Sequence, residues 1–265
     1  MDYNYQDICK QVCELARSVG NFIRQERKKF SADLVEVKGE NNFVTYVDKT
    51  AEEKIVASLS KVIPEAGFIA EENTSDKKGE TFNWVIDPLD GTTNFIHGVP
   101  CFSVSIALMN KEEVVVGVVY EVNLDECFYA YQGSKAYLNG KEINVSKAEK
   151  LRSSLVATGF PYYDYGRMDP YLNLFEEIMR SSHGLRRLGS AAVDLAYVAC
   201  GRFEAFYEYG LNPWDVAAGV LIVKQAGGKV SDFRGGNNFV FGKEIVASNN
   251  LMHDEFLSVV KKYFK

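Results

Sequence analysis

The sequence has little of what marks a secreted, membrane-spanning or disordered chain. Its 265 residues include only 5 cysteines and 6 prolines, and no apolar run approaches the ~18 residues of a membrane-spanning helix. The segment from Met1 to Tyr5 lacks the basic and apolar regions of a signal peptide. An odd number of cysteines, most of them inside apolar runs, is typical of reduced thiols, so we expect a cytoplasmic protein without disulfides.

Positive charge is also in short supply. The chain has 30 Lys and Arg against 36 Asp and Glu, a net charge of −6. An acidic balance disfavours general nucleic-acid binding and binding to anionic membranes, so we expect neither. The content of 46% hydrophobic and 25% charged residues is that of a globular protein. A chain of this size buries enough surface to fold without a structural metal.

The apolar periodicity predicts a layered α/β protein. Apolar residues recur at helical spacing over 7–30 and 49–62, with a Gly/Asn-rich hairpin between them. Strand-like runs joined by turns fill 67–145, and strands alternate with helices over 154–264. We expect an alternating helix–sheet–helix–sheet–helix sandwich. It would be one catalytic unit over residues 1–265, with a metal-binding subdomain near 1–148 and a substrate-contributing subdomain near 149–265.

The segment 84–95 carries the clearest chemical signal. A strand-like run leads into Asp87, Pro88 interrupts the strand ladder, and Asp90 follows just before a turn at Gly91. Two carboxylates three residues apart around a proline turn can point into one cavity. With a backbone carbonyl between them they form an oxygen-only ligand set suited to Mg²⁺. The structural alternative is an Asp-Pro turn followed by a helix cap at Thr92 or Thr93.

Two further acids favour the metal interpretation. Glu71 follows a neighbouring strand-like run, and Asp215 follows Pro213 at the start of a predicted helix, where it could instead be an N-cap. Convergent carboxylates repel one another unless cations neutralise them. Acids at the ends of neighbouring strands would also share one edge of a sheet, where α/β proteins commonly bind ligands.

Two segments resemble the signatures of the inositol monophosphatase family, whose members are Mg²⁺-dependent, lithium-sensitive phosphatases of sugars and polyols. They are Asp-Pro-Leu-Asp-Gly-Thr-Thr-Asn-Phe at 87–95 and Trp-Asp-Val-Ala-Ala-Gly at 214–219. Supporting elements in family order are Lys38 with Asp48, Glu71-Glu72, 189–192 and 203–208, so the resemblance covers about residues 5–260. One departure is Ala70, where many members have Gly.

The resemblance implies two or three Mg²⁺ ions per subunit and a metal-activated water as the nucleophile. The implied metal ligands are Glu71, Asp87, the Leu89 carbonyl, Asp90 and Asp215. The implied catalytic residues are Thr92, Asp48 and Glu71, with Thr92 accepting a proton from the water because its own hydroxyl donates to Asp48. The candidate substrate-binding residues are Asp90, Gly91, Thr92, Gly189, Ser190, Ala191, Glu208 and Asp215.

Two basic residues are further candidates. Lys38, in the predicted hairpin, is a candidate mobile cation over the site, and the hairpin itself is a candidate lid. Arg186 is a candidate for binding phosphate or for a dimer contact, as is its neighbour Arg187. The residues alone do not decide between these roles. The three histidines belong to no plausible triad or ligand set, so we interpret them as structural or surface residues.

These expectations combine into a Mg²⁺-dependent phosphomonoesterase, an inositol-phosphate phosphatase acting on myo-inositol monophosphates and related small polyol or sugar phosphates. Alternatives on the same scaffold are a fructose-1,6-bisphosphatase and a 3′(2′),5′-bisphosphate nucleotidase. An interaction protein that binds RNA polymerase or another protein is a third. The family resemblance also implies a homodimer, with aromatic residues around 160–165 and 171–175 as its candidate contact.

Overall fold

A computed structural model describes residues 3–31, 35–39, 42–161 and 165–264, and the side chains of 35–39 and 42–44 lie outside this description. The helices are α1 (Tyr5–Arg27), α2 (Tyr46–Val62), α3 (Thr92–His97), α4 (Met168–Ser181), α5 (Ala191–Ala199), α6 (Pro213–Gln225) and α7 (His253–Tyr263). The strands are β1 (Val35–Gly39), β2 (Asn42–Thr45), β3 (Gly67–Ala70), β4 (Phe82–Asp90), β5 (Ser103–Asn110), β6 (Glu113–Glu121), β7 (Glu126–Tyr131), β8 (Ala136–Leu138), β9 (Lys141–Ile143), β10 (Leu155–Thr158), β11 (Gly184–Arg186), β12 (Ala205–Tyr209), β13 (Lys229–Ser231) and β14 (Glu244–Ser248).

The described strands form two large sheets and a hairpin. The seven-stranded sheet runs in chain order from β3 to β9, and only its β3–β4 pair is parallel. The five-stranded sheet has the order β11-β10-β12-β14-β13, with β10 parallel to both its neighbours. The hairpin of β1 and β2 is antiparallel and leads directly into α2.

Helices cover both sheets, and α5 and α6 lie between them. One apolar core joins α1 and α2 to the outer face of the seven-stranded sheet. A second core joins the inner faces of the two sheets to α5 and α6, and a third packs α4 and α7 on the outer face of the five-stranded sheet. The predicted helix–sheet–helix–sheet–helix sandwich is therefore confirmed. The central strands read as continuous apolar runs because both of their faces are buried, as in β5.

Local sequence explains most of the element ends. Helix α1 begins after Asn4, whose side chain accepts the backbone N–H groups of Gln6 and Asp7. Its buried residues, such as Val12 and Val19, recur at helical spacing and meet the sheet. The division into subdomains near residue 148 stays a prediction, since the second core contains residues from both parts.

Three element bounds differ from expectation. Strand β4 continues past Pro88 to Asp90, α1 covers Tyr5–Arg27 where 7–30 was predicted, and α2 begins at Tyr46 where 49 was predicted. All five cysteines are free thiols, as expected. No helix in the described part of the chain has the length and apolar character needed to cross a membrane.

Candidate active site

Glu71 follows β3 directly and Asp87 lies within β4, at the same level of two adjacent parallel strands. In the β3–β4 pair Ala70 lies opposite Ile86, and the Glu71 N–H continues the ladder by donating to the Ile86 carbonyl over 3.2 Å. Both acids line one cavity together with Asp90 and Asp215. The structure thus brings together the four carboxylates that the sequence had marked.

A shift of register in β4 places Asp90. Asp87 pairs with Ser105 and Asp90 with Ser103, so two residues of β4, Pro88 and Leu89, face a single residue of β5. Proline has no N–H to give to the ladder, which makes it suited to such a bulge. The predicted interruption at Pro88 is present, but the strand resumes after it and does not end there.

The Asp90 carboxylate is held by the start of α5. Its Oδ2 accepts the Ser190 hydroxyl at 2.6 Å and the Ala192 N–H at 2.8 Å. Ser190 is buried and also caps α5 by accepting the Val193 N–H at 3.3 Å. The donors that we expected to be open to substrate hydroxyls at this helix start are thus largely engaged with Asp90.

Asp215 is the third residue of α6 and not its N-cap. Pro213 occupies the first helical position, and the Asn212 N–H donates to Asp215 Oδ2 over 2.7 Å. This hydrogen bond fixes one carboxylate oxygen, while the residue itself lines the cavity. The N-cap alternative is therefore wrong.

Thr92 is hydrogen-bonded to Asp48. Its Oγ1 lies 3.0 Å from Asp48 Oδ1 and 3.0 Å from the Leu89 carbonyl. Asp48 is fully buried, and its other oxygen accepts the Thr45 N–H at 2.8 Å and the Thr45 hydroxyl at 2.6 Å. The alternative in which Thr92 caps a helix is wrong, because Gly91 occupies the N-cap position of α3 with a φ of 98°.

The electrostatics of the cavity favour protons or cations. Burial, followed by the charges of neighbouring carboxylates, raises the pKa of Asp87 and of Asp215 well above its usual range. Burial also raises the pKa of Asp90 to about 6 and that of Glu208 to about 8. Burial raises the pKa of Asp48 as well. In the absence of a cation, these groups oppose each other's ionisation.

The donor set is chemically suited to Mg²⁺. It consists of carboxylate oxygens and the Leu89 carbonyl, with no nitrogen or sulfur ligand. Within the described ranges, no three His, Cys, Asp or Glu side chains lie close enough together to enclose a metal ion by themselves. Mg²⁺ commonly uses one or two carboxylates and takes water and substrate phosphate as its remaining ligands. The assignment of individual ligands to individual ions stays a prediction.

The second half of the chain supplies the rest of the cavity wall. Glu208 lies against Gly159, where a Cβ would come within 2.0 Å of the Glu208 carboxyl group. Arg187 lines the cavity and lies over the Phe160 ring, with 5.1 Å between its Cζ and the ring centroid. The neighbouring Arg186 is exposed and lies outside the cavity lining, so of the two arginines Arg187 is the one placed for phosphate or substrate.

Sequence reasoning missed two residues near the cavity. Asp194 lines it from the first turn of α5, and the available signal was a single acid within an otherwise apolar helix. Asn94 donates to the carbonyls of Cys101 and Leu188 at 2.7 and 2.8 Å, which ties α3 to the segment before α5. Asn94 and Leu188 are 94 positions apart in the chain, so no local sequence pattern predicts their hydrogen bond.

The remaining candidates lie elsewhere. The Lys38 side chain and the tip of its hairpin are outside the described residues. His253 is buried between Ser231 and Ser248, with its ring nitrogens 3.2 and 2.8 Å from their hydroxyls. None of the three histidines lines the cavity, which agrees with their interpretation as structural or surface residues.

A family model described as the inositol monophosphatase family matches residues 4–264. The chain belongs to the inositol monophosphatase family. The protein named Nus factor SuhB from Pseudomonas aeruginosa is 43% identical over 253 residues, which are 94% of this chain and 93% of that protein. The fructose-1,6-bisphosphatase/inositol-1-monophosphatase of Aquifex aeolicus is 39% identical over 256 residues, covering 96% of each chain.

A solved structure agrees with this family membership. The crystal structure of extragenic suppressor protein suhB from Bartonella henselae matches with a TM-score of 0.91 and 38% identity, covering 97% of this chain and 99% of that one. Membership in the family supports phosphatase activity, and the family is generally Mg²⁺-dependent. The names of the relatives differ, so they do not define the substrate of this chain.

Proposed function

We propose that the chain is a Mg²⁺-dependent phosphomonoesterase that hydrolyses myo-inositol monophosphates and related small polyol or sugar phosphates. The observation that carries this proposal is the meeting of Glu71, Asp87, Asp90 and Asp215 in one cavity, where burial and neighbouring carboxylates raise the pKa of Asp87 and of Asp215. Several carboxylates that face one cavity are costly to keep together without a cation to balance their charge.

The proposed metal ligands are Glu71, Asp87, the Leu89 carbonyl, Asp90 and Asp215, for two or three Mg²⁺ ions per subunit. When bound, Mg²⁺ supplies positive charge against the phosphate and lowers the pKa of a water molecule that attacks phosphorus. The family resemblance adds that lithium inhibits the reaction.

Thr92 and Asp48 are the proposed route for the proton of the attacking water. A neutral threonine is a weak base, but its hydroxyl hydrogen can pass to Asp48, 3.0 Å away, as Oγ1 takes up the water proton. Asp48 holds its position through the two hydrogen bonds from Thr45. Glu71, which lines the same cavity, is the proposed partner on the water's other side.

Other residues of the same cavity lining are the proposed substrate contacts. Gly91, Gly189 and Ala191 line the cavity and are the proposed backbone contacts of the substrate. Glu208 is the proposed acceptor for ring hydroxyls. Ser190 contributes indirectly, since its hydroxyl orients Asp90.

Fructose-1,6-bisphosphatase and nucleotidase activities are the two alternatives on this scaffold, and the phosphate-release assay described below tests both. The name of the Aquifex aeolicus relative includes fructose-1,6-bisphosphatase, and the nucleotidase alternative requires a base-binding surface. Arg187 is the single described basic side chain in the cavity wall. One guanidinium among several carboxylates favours a monophosphate over a substrate with a second phosphate.

The name Nus factor borne by the Pseudomonas aeruginosa relative supports one additional proposal, a second role in binding another protein such as RNA polymerase. Such a role does not require the cavity, so a catalytically inactive variant would retain it. The net charge of −6 argues against general nucleic-acid binding.

A phosphate-release assay tests the enzymatic proposal. We expect release from inositol 1-phosphate with Mg²⁺, faster than from fructose 1,6-bisphosphate or 3′-phosphoadenosine 5′-phosphate, and none in EDTA. Asp90→Asn should lower the rate about 10²-fold or more because it removes a charged ligand. Asp254→Asn is the matched control, since Asp254 is exposed on α7 and pairs with Lys229 away from the cavity. Full activity in EDTA, or in Asp90→Asn, contradicts the proposal.

A further inference from the structure

Asp194 is an acid in a place where the sequence otherwise puts only apolar residues. It lies in the first turn of α5, and its neighbours along the helix are Ala, Val, Leu and Tyr. Its side chain is 1% exposed. It nevertheless lines the cavity that contains the proposed metal ligands.

One oxygen of Asp194 has no partner. Among the described residues, no donor or acceptor lies within hydrogen-bond distance of Oδ1, although the atom is fully buried. A buried carboxyl group without a partner destabilises a fold, and native structures seldom keep one without a reason. An acid in the first turn of α5 suits the helix dipole, but the dipole supplies no hydrogen-bond partner for Oδ1, so it does not account for the unsatisfied oxygen.

The charges around Asp194 indicate what its carboxyl group can bind. After burial, the carboxylates of Glu208 and Asp90 raise its pKa, whereas Arg187 lowers it. The pKa of Glu208 is likewise lowered by Arg187 and raised by Asp90. Two carboxyl groups around one guanidinium repel an additional anion. They suit a neutral group that can donate or accept a hydrogen bond, which is the chemistry of a hydroxyl.

We propose that Asp194 is a specificity-determining residue whose carboxyl group, at the wall of the cavity, binds a hydroxyl group of the polyol beside Glu208. The inference rests on the proposed phosphatase function. In this arrangement the phosphate lies with Asp90 and its neighbours, while the polyol ring extends towards Asp194, Glu208 and Arg187. Asp194 then recognises the part of the substrate that does not react.

The experiment compares two phosphate esters that share the reacting group and differ in the polyol. Inositol 1-phosphate carries ring hydroxyls, and phenyl phosphate carries none. Kinetics with Mg²⁺ are measured for wild type, Asp194→Leu, Asp194→Asn and the control Tyr207→Phe. Tyr207 has a buried hydroxyl on β12 and is not part of the cavity lining.

In Asp194→Leu we expect the ratio of kcat/KM for inositol 1-phosphate to that for phenyl phosphate to fall at least tenfold, mainly through KM for the polyol ester. Asp194→Asn should retain most of the ratio, because an amide still hydrogen-bonds a hydroxyl, and Tyr207→Phe should match wild type. The melting temperature of metal-free Asp194→Leu should equal or exceed that of wild type, since an unsatisfied buried group has been removed.

An unchanged ratio in Asp194→Leu overturns the inference, and a lower melting temperature in addition assigns Asp194 a purely structural role. Equal losses with both esters also overturn it, because they indicate damage to the shared phosphate site. If wild type hydrolyses neither ester with Mg²⁺, the proposed function fails together with the inference.

Discussion

At the scale of single residues, the Thr92 hydroxyl shows how the structure assigns a role that spacing alone left open. Its one hydrogen has two acceptors, the Asp48 carboxylate and the Leu89 carbonyl, each 3.0 Å away. The pair of Thr92 and Asp48 is separated by 44 positions in the chain, so no local pattern predicts it. It was available only through the family resemblance, whereas the role of Asp87 and Asp90 as a pair followed from their own spacing.

Thr92→Ala should lower kcat about 10²-fold or more and change KM little, because it removes the path of the water proton and leaves ground-state binding intact. Thr92→Ser retains the hydroxyl and should keep most of the activity. The measurement is steady-state phosphate release at saturating Mg²⁺. A kcat for Thr92→Ala equal to that of wild type assigns the residue to structure alone.

Glu208 makes the stability of the metal-free protein depend on pH. Burial raises its pKa from the usual 4.5 to about 8 in the folded protein, so the native state binds a proton more tightly than the unfolded chain. Stability is therefore retained below the unfolded pKa of about 4.5 and lost as the pH rises towards about 8.

Glu208→Gln should consequently melt like wild type at about pH 4, where the Glu208 carboxyl is neutral in both the folded and the unfolded chain, and at a higher temperature than wild type near pH 8. Thermal unfolding in EDTA across this interval measures the difference, since the glutamine side chain has no proton to lose. If the melting temperatures of the two proteins differ by the same amount at every pH, the titration does not belong to Glu208.

At the scale of elements, the start of α5 joins the two halves of the site. Ser190 caps α5 and donates to Asp90 of β4, which lies 100 positions earlier in the chain. Periodicity predicted α5 and a strand leading to Asp87 closely, because both are set by local apolar patterns. The bulge at Pro88 and the link to Ser190 could not be predicted, since they depend on which strands and helices become neighbours.

Ser190→Ala should destabilise the metal-free protein by about 1 kcal/mol, because α5 loses its N-cap acceptor. It should also weaken the response to Mg²⁺, since Asp90 loses its 2.6 Å donor and is less well oriented. Ser258→Ala, in the exposed part of α7, is the control. Urea unfolding with and without Mg²⁺ gives both quantities, and an unchanged free energy of unfolding in Ser190→Ala contradicts the capping role.

At the scale of the whole molecule, the order of the helix and sheet layers was predicted from the sequence more completely than the individual strands. The change from long helical repeats to short strands predicted the first sheet, and the alternation after residue 154 predicted the second. Strand β9 gives a weaker signal within that first sheet, because Lys141 and Glu142 are exposed and only Ile143 is apolar. The position of α5 and α6 between two sheets explains why those helices are apolar on nearly every face.

A homodimer stays a proposal, and the structure narrows its candidate contact. Phe160, Tyr165 and Leu172 are 45%, 50% and 53% exposed and lie along one apolar groove. Tyr171 is only 2% exposed, so it belongs to the core and is withdrawn from the contact. Contiguous exposed apolar surface of this kind commonly marks an interface.

Light scattering should give about twice the 29.7 kDa of one chain. Leu172→Glu should reduce the mass towards that of a single chain, because a charge in an apolar interface is costly to bury. Leu124→Glu is the control, since Leu124 is 60% exposed and lies on another part of the surface. A wild-type mass near that of one chain at working concentration rules the dimer out.

In the proposed site, bound Mg²⁺ holds the clustered carboxylates together. Mg²⁺ binds the folded site and not the dispersed acids of the unfolded chain, so it should stabilise the protein by about 2.7 kcal/mol at a hundredfold excess over Kd. For a chain of this length, that raises the melting temperature by several degrees. Asp215→Asn should lose most of this response and most of the activity, because it removes a proposed ligand.

In EDTA the same variant should be as stable as wild type or more so. Asparagine still accepts the Asn212 N–H through its side-chain oxygen, so α6 keeps that contact, while one charge that repels Asp87 and Asp90 is gone. A purely structural Asp215 predicts the reverse, an unchanged Mg²⁺ response and retained activity. Thermal melts of wild type, Asp215→Asn and the exposed control Asp254→Asn, each in EDTA and in excess Mg²⁺, distinguish the two. If all three proteins shift equally with Mg²⁺, Asp215 is not a ligand, and the pKa shift of its carboxyl group reflects burial beside other acids and nothing more.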